Sequence, residues 1–188
     1  TLHNTLFPYT TLFRSDVDVT AVEDNTESSW DTLLGDITTF ESSSDTYNKI
    51  YKRSVITSLM FFDRTNGAMG AGGYLGNYFS NWPRDAVYGA MTLDRIGLNS
   101  IAKDAYDWLW NVAERDSDYR FWWQKYTMTG EKLWTSPQDD ETAVIPVGAW
   151  YHYQQTGSNQ FIDNFAPMVE EAAKVGSQDN PHDGLDYN

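Results

Sequence analysis

The sequence predicts an all-α protein in which buried helices alternate with helices that have one apolar side. Two observations carry this prediction. Large apolar residues recur at intervals of three and four positions, the spacing of one helix face, in residues 30–37, 46–64, 99–115 and 159–175. Two further segments, residues 86–96 and 142–155, are apolar almost throughout, and a helix that is apolar all round is buried on all sides.

The N-terminal region is predicted to lie outside the main domain. Residues 5–15 read as a conceptual translation of a sequencing-adapter oligonucleotide, so we interpret residues 1–15 as an adapter or assembly scar. Residues 16–27 are acidic and poor in large apolar side chains, which predicts a linker. A short helix with Ser28 or Ser29 as its cap follows. We therefore assign residues 16–45 to a linker and leading helix, and residues 46–188 to the main domain.

The main domain begins with an amphipathic helix over residues 46–64. Its apolar side comprises Tyr47, Ile50, Tyr51, Val55, Leu59 and Phe62. A glycine-rich loop, residues 65–85, follows. The loop does not match a dinucleotide-binding fingerprint, because Leu75 stands where the third glycine should fall, and it lacks the lysine of a phosphate-binding loop. A loop of this length without regular structure is usually functional.

The remaining elements repeat one order: buried helix, short turn, amphipathic helix. Gly97 ends the first buried helix as a residue just past its C-terminus. The second long loop, residues 116–139, contains a hairpin whose strands, 121–126 and 132–134, flank a Thr-Gly-Glu turn. A turn at residues 156–158 joins the last two helices, and we expect residues 176–188 to be a loop.

Each long loop ends in a polar cluster at the start of a buried helix. The clusters are Trp82, Arg84 and Asp85 in the first loop, and Gln138, Asp140 and Glu141 in the second. Helices joined by short turns pack antiparallel, so the two long loops must share one end of the domain. We therefore predict that both clusters converge on one face and form a single site.

The first cluster combines an indole, a guanidinium and a carboxylate. This combination suits a neutral polyol such as a sugar, because the indole offers an apolar face and the charged pair offers donors and acceptors for hydroxyl groups. Pro83 is tolerated in the first helical turn, and Asp85 is a good N-cap. A structural interpretation stays open, in which Arg84 and Asp85 form a salt bridge that caps the helix while Trp82 fills the core.

Composition excludes several function classes. The formal net charge of −14 argues against a nucleic-acid partner and against an anionic membrane surface. No apolar run is long enough to span a bilayer. The absence of cysteine excludes disulfides, and no motif implies a cofactor. The 8 Trp and 12 Tyr form an aromatic excess that is typical of carbohydrate sites as well as of large cores.

Two motifs carry a resemblance to a known family. Residues 81–86, Asn-Trp-Pro-Arg-Asp-Ala, resemble the Trp-x-Arg-Asp motif of glucoamylase-like glycoside hydrolases (family 15). Residues 138–143, Gln-Asp-Asp-Glu-Thr-Ala, resemble the Gln-x-Asp-Glu-Thr-Ala segment of that family, and the match runs in order from about residue 46 to 175. The resemblance implies an (α/α)6 toroid with inner and outer helices, and an inverting, exo-acting α-glucosidase that acts on α-glucans or oligosaccharides. It slightly favours an extracellular or periplasmic location.

The resemblance also implies roles for individual residues. Arg84 and Asp85 would grip the non-reducing-end sugar, and Trp82 would line the same pocket. Trp134, the aromatic residue before the second motif, would contact substrate. The polar residues of the second motif would support the site: Gln138, Asp140 and Glu141.

The catalytic residues are expected beyond Asn188. Inverting hydrolysis needs an acid and a base about 6.5–9.5 Å apart. In the family both are glutamates, and the acid lies in a Trp-Glu-Glu-like segment of the third long loop. Residues 177–188 contain no such segment, and Asp183 and Asp186 do not match it. We therefore expect the chain to be an inactive fragment with an exposed apolar surface where further helices would pack.

Other interpretations stay open. A trehalase-like or dextran-acting enzyme is one, because the glycosidic linkage is read by subsites outside these residues. A non-enzymatic helical sugar-binding or interaction module is another, although it gives no reason for Arg and Asp to cluster at one end of the buried helices. A calcium site at residues 139–141 is disfavoured, because adjacent residues at a helix start point in different directions, so we expect no metal. The oligomeric state is left open.

Overall fold

The computed structural model describes residues 18–73, 78–116 and 119–176. The adapter scar at residues 1–15 and the C-terminal loop with Asp183 and Asp186 therefore lie outside the described residues. Within these ranges the protein is predominantly α-helical, which confirms the all-α prediction. The (α/α)6 toroid, of which this chain is expected to hold an incomplete part, stays a prediction. The chain forms two compact units, residues 1–37 and 38–188, each of which is described by itself.

The described part of the first unit contains the helix α1 (Val19–Gly35). The side chain of Asp18 caps it by accepting a hydrogen bond from the N–H of Ala21 at 3.1 Å. The predicted linker over residues 16–27 is therefore wrong from Val19 onward. The helix lacks an apolar stripe in its first half, which is why its start could not be recognised. Hydroxyl groups donate instead to the carbonyl four residues earlier, at Thr26, Ser29 and Thr32.

The second unit begins with α2 (Asp45–Met60). This confirms the predicted helix over residues 46–64, although the helix ends earlier. Val55 and Leu59 are buried, whereas Tyr47 and Ile50 are exposed. The predicted apolar stripe is thus covered by other parts of the unit only in the second half of the helix.

Four helices form the core of the second unit: α3 (Pro83–Arg95), α4 (Asn99–Val112), α5 (Asp139–Thr156) and α6 (Asn159–Ala173). α3 packs against α4 and α5, and α5 packs against α6. Their large buried side chains are Val87, Leu93, Tyr106, Leu109, Ile145, Phe161 and Met168. A short 3-10 helix, Lys174–Gly176, follows α6.

A close approach of helices at Gly148 fixes the packing of α3, α4 and α5. A Cβ atom added there would lie 2.5 Å from Cγ1 of Val87 and 3.0 Å from the hydroxyl oxygen of Tyr106. Contacts this short are not seen between real atoms of this kind, so only glycine allows the three helices to meet at this distance.

Gly97 ends α3, as predicted, and Gly157 ends α5 in the same way. Gly97 follows α3 with φ +91°, and the N–H of Leu98 donates to the carbonyl of Leu93 at 2.9 Å. Gly157 follows α5 with φ +64°. Both residues lie in the left-handed region that glycine tolerates without strain, and each allows the chain to reverse into the next helix.

Two hairpins occupy the second long connection. β3 (Trp123–Tyr126) pairs antiparallel with β4 (Lys132–Pro137), which confirms the predicted hairpin. Its turn contains Gly130 with φ +92°. β1 (Glu114–Asp116) pairs antiparallel with β2 (Tyr119–Phe121), a pairing that the sequence pattern did not indicate.

One side of α3 and α5 is apolar and exposed. Tyr88 on α3 and Val147 and Trp150 on α5 are 58%, 54% and 56% exposed. The prediction that these helices are buried all round is therefore wrong on this side. No helix in the described ranges has the length and apolar character that crossing a membrane requires.

Candidate functional site

The starts of α3 and α5 meet, as the sequence predicts. Trp82 and Gln138 occupy the two cap positions, and neither side chain makes a capping hydrogen bond. Instead, Oε2 of Glu141 in the first turn of α5 accepts the backbone N–H of Arg84 at 2.6 Å. The prediction that Asp85 caps α3 is wrong. Asp85 lies in the first turn of the helix, where a carboxylate interacts favourably with the helix dipole.

The guanidinium of Arg84 lies among three carboxyl groups. Its Nη1 forms a charged hydrogen bond with Oδ2 of Asp140. Its Nη2 lies 3.6 Å from Oε1 of Glu141 and 3.7 Å from Oδ2 of Asp85. The hydrogen bond to Asp140 is the main cause that raises the pKa of Arg84 above its usual value. The group is therefore held on its Nη1 side, while Nη2 has carboxylates nearby but beyond hydrogen-bonding distance.

The four charged side chains differ in their access to solvent. Those of Arg84, Asp85 and Asp140 are 35%, 44% and 54% exposed, whereas the side chain of Glu141 is 0% exposed. A ligand arriving from solvent can therefore reach the first three groups. Glu141 lies behind them, against the backbone of α3.

Burial dominates the titration of Glu141. Loss of solvent raises the pKa of Glu141 to about 7, against the smaller lowering effects of the Arg84 N–H and of the guanidinium charge. Asp140 and Asp85 raise the pKa further through charge repulsion. Because of this, the net charge at the two helix starts changes near neutral pH.

Aromatic side chains flank the charged group. The rings of Trp82 and Trp134 meet edge to face with their centroids 5.9 Å apart. Tyr78 contacts Trp82 at a centroid distance of 6.3 Å, and Nζ of Lys125 lies 5.4 Å from the centre of the Trp82 ring. Trp134 is 48% exposed, so this cluster offers an apolar wall around Trp82, the residue that precedes α3.

The two long loops are held together by Asn81. Its backbone N–H and C=O both pair with Tyr126 of β3 at 2.9 Å, and its side-chain Nδ2 donates to the carbonyl of Met69 at 2.9 Å. The start of α5 is held similarly, because Oγ1 of Thr142 accepts the N–H of Trp122 at 3.2 Å. These bonds place both helix starts and the aromatic wall in one fixed arrangement.

Several polar atoms at the helix starts are buried without a hydrogen-bond partner among the described residues. They are Nε1 of Trp82, Oε1 of Gln138 and Oε1 of Glu141. Buried polar groups are normally hydrogen-bonded, so a cluster of unpaired ones is unusual. It leaves one donor and two acceptors next to a guanidinium that is itself only partly bonded.

The structure brings the predicted site residues to one end of α3 and α5. Trp134 joins them through its ring contact with Trp82, and Glu141 joins them from the buried side. Sequence reasoning missed Lys125 and Tyr78. Lys125 is the register partner of Trp134 in the β3–β4 hairpin, so its neighbourhood follows from strand pairing, which the sequence alone did not specify residue by residue.

The arrangement can bind a polyhydroxylated molecule. A planar cation with adjacent carboxylates can donate to one hydroxyl group and accept from the next, and indole rings can cover an apolar sugar face. In the described ranges, no three or more His, Asp or Glu side chains are arranged to hold a metal ion.

Comparisons with known proteins agree with a carbohydrate-related site. No protein-family model matches the sequence. The chain is 28% identical over 148 residues to a protein of Methanocaldococcus jannaschii described as an uncharacterized glycosyl hydrolase. The match covers 77% of this chain and 24% of that protein, so the chain spans about a quarter of the length of its curated relative. The similarity supports a relationship between this chain and glycoside hydrolases.

Proposed function

We propose that this chain carries part of the sugar-binding pocket of an inverting, exo-acting α-glucosidase. The enzyme would release terminal glucose from α-glucans, as glucoamylase-like hydrolases do. The observation that carries the proposal is the Arg84 guanidinium between Asp140 and Asp85, at a helix start whose cap residue Trp82 contacts the exposed indole of Trp134. The same residues occupy the motif positions that resemble the glucoamylase-like family.

In this proposal Nη2 of Arg84 donates to one hydroxyl group of the terminal glucose, and Asp85 accepts from a neighbouring one. Trp82 and Trp134 pack on the sugar ring. Gln138 and Asp140 belong to the start of α5, and Asp140 holds the guanidinium in place. The carboxylates that perform acid and base catalysis are proposed to belong to the longer protein, because Asp85 and Asp140 both lie against Arg84 and Glu141 is closed off from solvent.

Isothermal titration calorimetry with maltose, isomaltose and trehalose tests the binding function. We expect Arg84→Ala to weaken binding at least about tenfold, because a charged hydrogen bond contributes about 1.5–3 kcal/mol. Arg95→Ala is the matched control, since Arg95 is exposed at the other end of α3. Equal affinities for the two variants would contradict the assignment of Arg84.

The choice of sugar separates the alternatives. Preference for maltose supports a glucoamylase-like linkage, whereas preference for isomaltose or trehalose supports a dextran-acting or trehalase-like enzyme. If the wild-type chain binds none of them, a helical interaction module becomes the better description. Release of glucose from maltose by this chain alone would contradict the placement of the catalytic pair elsewhere.

A further inference from the structure

Glu141 contacts Arg84 in two ways, and its side chain is not exposed to solvent. Its Oε2 accepts the backbone N–H of Arg84 at 2.6 Å, and its Oε1 lies 3.6 Å from Nη2 of the same residue. We propose that Glu141 is a positioning residue, an inference that rests on the sugar-binding function proposed above. Its buried carboxyl group fixes the first turn of α3 and aims the Arg84 guanidinium, and it does not touch the sugar.

The hydrogen bond from Arg84 replaces a missing helix cap. The cap residue Trp82 makes no side-chain bond to the first turn of α3, and Pro83 has no N–H. The N–H of Arg84 is therefore the first donor of the helix, and such donors have no partner within the helix itself. Glu141 supplies the acceptor from α5, so one carboxyl group joins the two helix starts and sets the direction in which the Arg84 side chain leaves the helix.

Solvent access separates Glu141 from the residues that would bind sugar. Its side chain is 0% exposed, against 35% for Arg84, 44% for Asp85 and 54% for Asp140. A sugar hydroxyl group can approach Arg84, Asp85 and Asp140 directly. Glu141 offers no exposed side-chain atom for a hydroxyl group to contact.

The charge on Glu141 provides a way to observe its role. The charged and titratable groups that face it are Arg84 and Asp85 of α3, Asp140 of α5 and Tyr126 of β3. Burial raises the pKa of Tyr126, which keeps its hydroxyl group neutral near pH 7. Because Glu141 accepts the N–H of Arg84 directly, this N–H is the atom that reports a change of charge on Glu141.

The first test uses NMR of the Arg84 amide and needs no sugar. We expect its proton shift to titrate with a midpoint near 7 in the wild type, and to stay constant in Glu141→Gln, which keeps an acceptor but cannot ionise. Glu141→Ala should speed hydrogen exchange of this amide at least about tenfold. Glu131→Gln, a change at an exposed glutamate in the β3–β4 turn, is the control. An Arg84 amide that does not respond to pH, or that exchanges equally fast in all variants, would overturn the proposal.

The second test is a double-mutant cycle on maltose binding. If Glu141 acts through Arg84, the double variant Arg84→Ala/Glu141→Ala should bind as weakly as Arg84→Ala alone, and Glu141→Gln should stay within about threefold of the wild type. If the double variant instead loses affinity by the product of the two single-variant losses, Glu141 contacts the sugar separately, and the proposal is overturned. If the wild type binds no sugar, the proposed function fails, and the NMR test alone then decides whether Glu141 positions Arg84.

Discussion

Nδ1 of His152 lies 2.7 Å from Oδ1 of Asp94, in the interior between α3 and α5. Both residues are almost fully buried, and Oδ2 of Asp94 has no hydrogen-bond partner among the described residues. Burial raises the pKa of Asp94, while the bond to His152 acts in the opposite direction. This pair joins α3 and α5 well inside the core, and the Arg84–Glu141 bond joins the same helices at their starts.

We expect Asp94→Ala to lower the free energy of unfolding by about 1–3 kcal/mol, because it leaves a buried ring nitrogen of His152 without its partner. The double variant Asp94→Ala/His152→Phe should recover part of the loss, since both polar groups are then removed. Urea denaturation at pH 7 measures both values. An Asp94→Ala protein as stable as the wild type would show that the pair contributes nothing to the fold.

The buried carboxyl group of Glu141 should make stability depend on pH. Its pKa is about 7 in the folded state, against 4.5 for the free side chain, so the folded state binds more protons than the unfolded state between these values. Stability contributed by the protonated group should therefore be lost as the pH rises from about 4.5 to about 7, by about 3 kcal/mol at most.

Glu141→Gln isolates this contribution of Glu141, because glutamine does not titrate. We expect the difference in unfolding free energy between the variant and the wild type to increase in favour of the variant from pH 5 to pH 8. Urea denaturation at intermediate pH values follows the change. Curves that stay parallel across this range would mean that Glu141 is ionised in both states throughout.

The contact at Gly148 predicts a penalty for a single methyl group. Gly148→Ala should lower the free energy of unfolding by about 1–3 kcal/mol, because its Cβ would collide with Val87 and Tyr106. Gly35→Ala at the end of α1 is the control, since an added Cβ there meets nothing within 4 Å and alanine favours helix. Thermal or urea denaturation distinguishes them. Equal stability of both variants would contradict the close approach of the helices.

The exposed indole of Trp134 should contribute to sugar binding. Trp134→Ala is expected to weaken maltose binding about 10–100-fold, since covering a large apolar side chain contributes about 1.5–3 kcal/mol. Trp150→Ala serves as the control, because Trp150 is similarly exposed but lies in the C-terminal half of α5, away from the helix start. Titration calorimetry compares the two. A larger loss of maltose affinity with Trp150→Ala than with Trp134→Ala would place the sugar site near Trp150.

The order of helices and the meeting of the two polar clusters could be predicted from the sequence. Apolar periodicity located α2, α4 and α6, and nearly continuous apolar runs located α3 and α5. The short turns at Gly97 and Gly157 required the starts of α3 and α5 to lie at the same end. This reasoning needed only helix geometry and loop length, which local sequence determines well. The start of α1 was missed, because polar side chains that bond to their own helix leave no apolar pattern.

The roles within the site could not be predicted in the same way. Asp139, Asp140 and Glu141 are adjacent acidic residues, and nothing in their sequence shows which of them is buried. The structure buries Glu141 because its side chain meets the backbone of α3, a partner 57 positions away. Asp85 was expected to cap its own helix, but that task falls to Glu141. Tertiary contacts decide such assignments, and local preference does not.

The bonds of Asn81 have a consequence for how a ligand could enter. Asn81 ties the first long loop to β3 of the second, so neither loop can swing outward without breaking the same pair of backbone hydrogen bonds. The described parts of the two loops therefore move together as one unit. A molecule that binds one loop finds the other already in place and loses little additional entropy in ordering it. Access should accordingly depend on the shape of the opening and on rotation of exposed side chains such as Trp134.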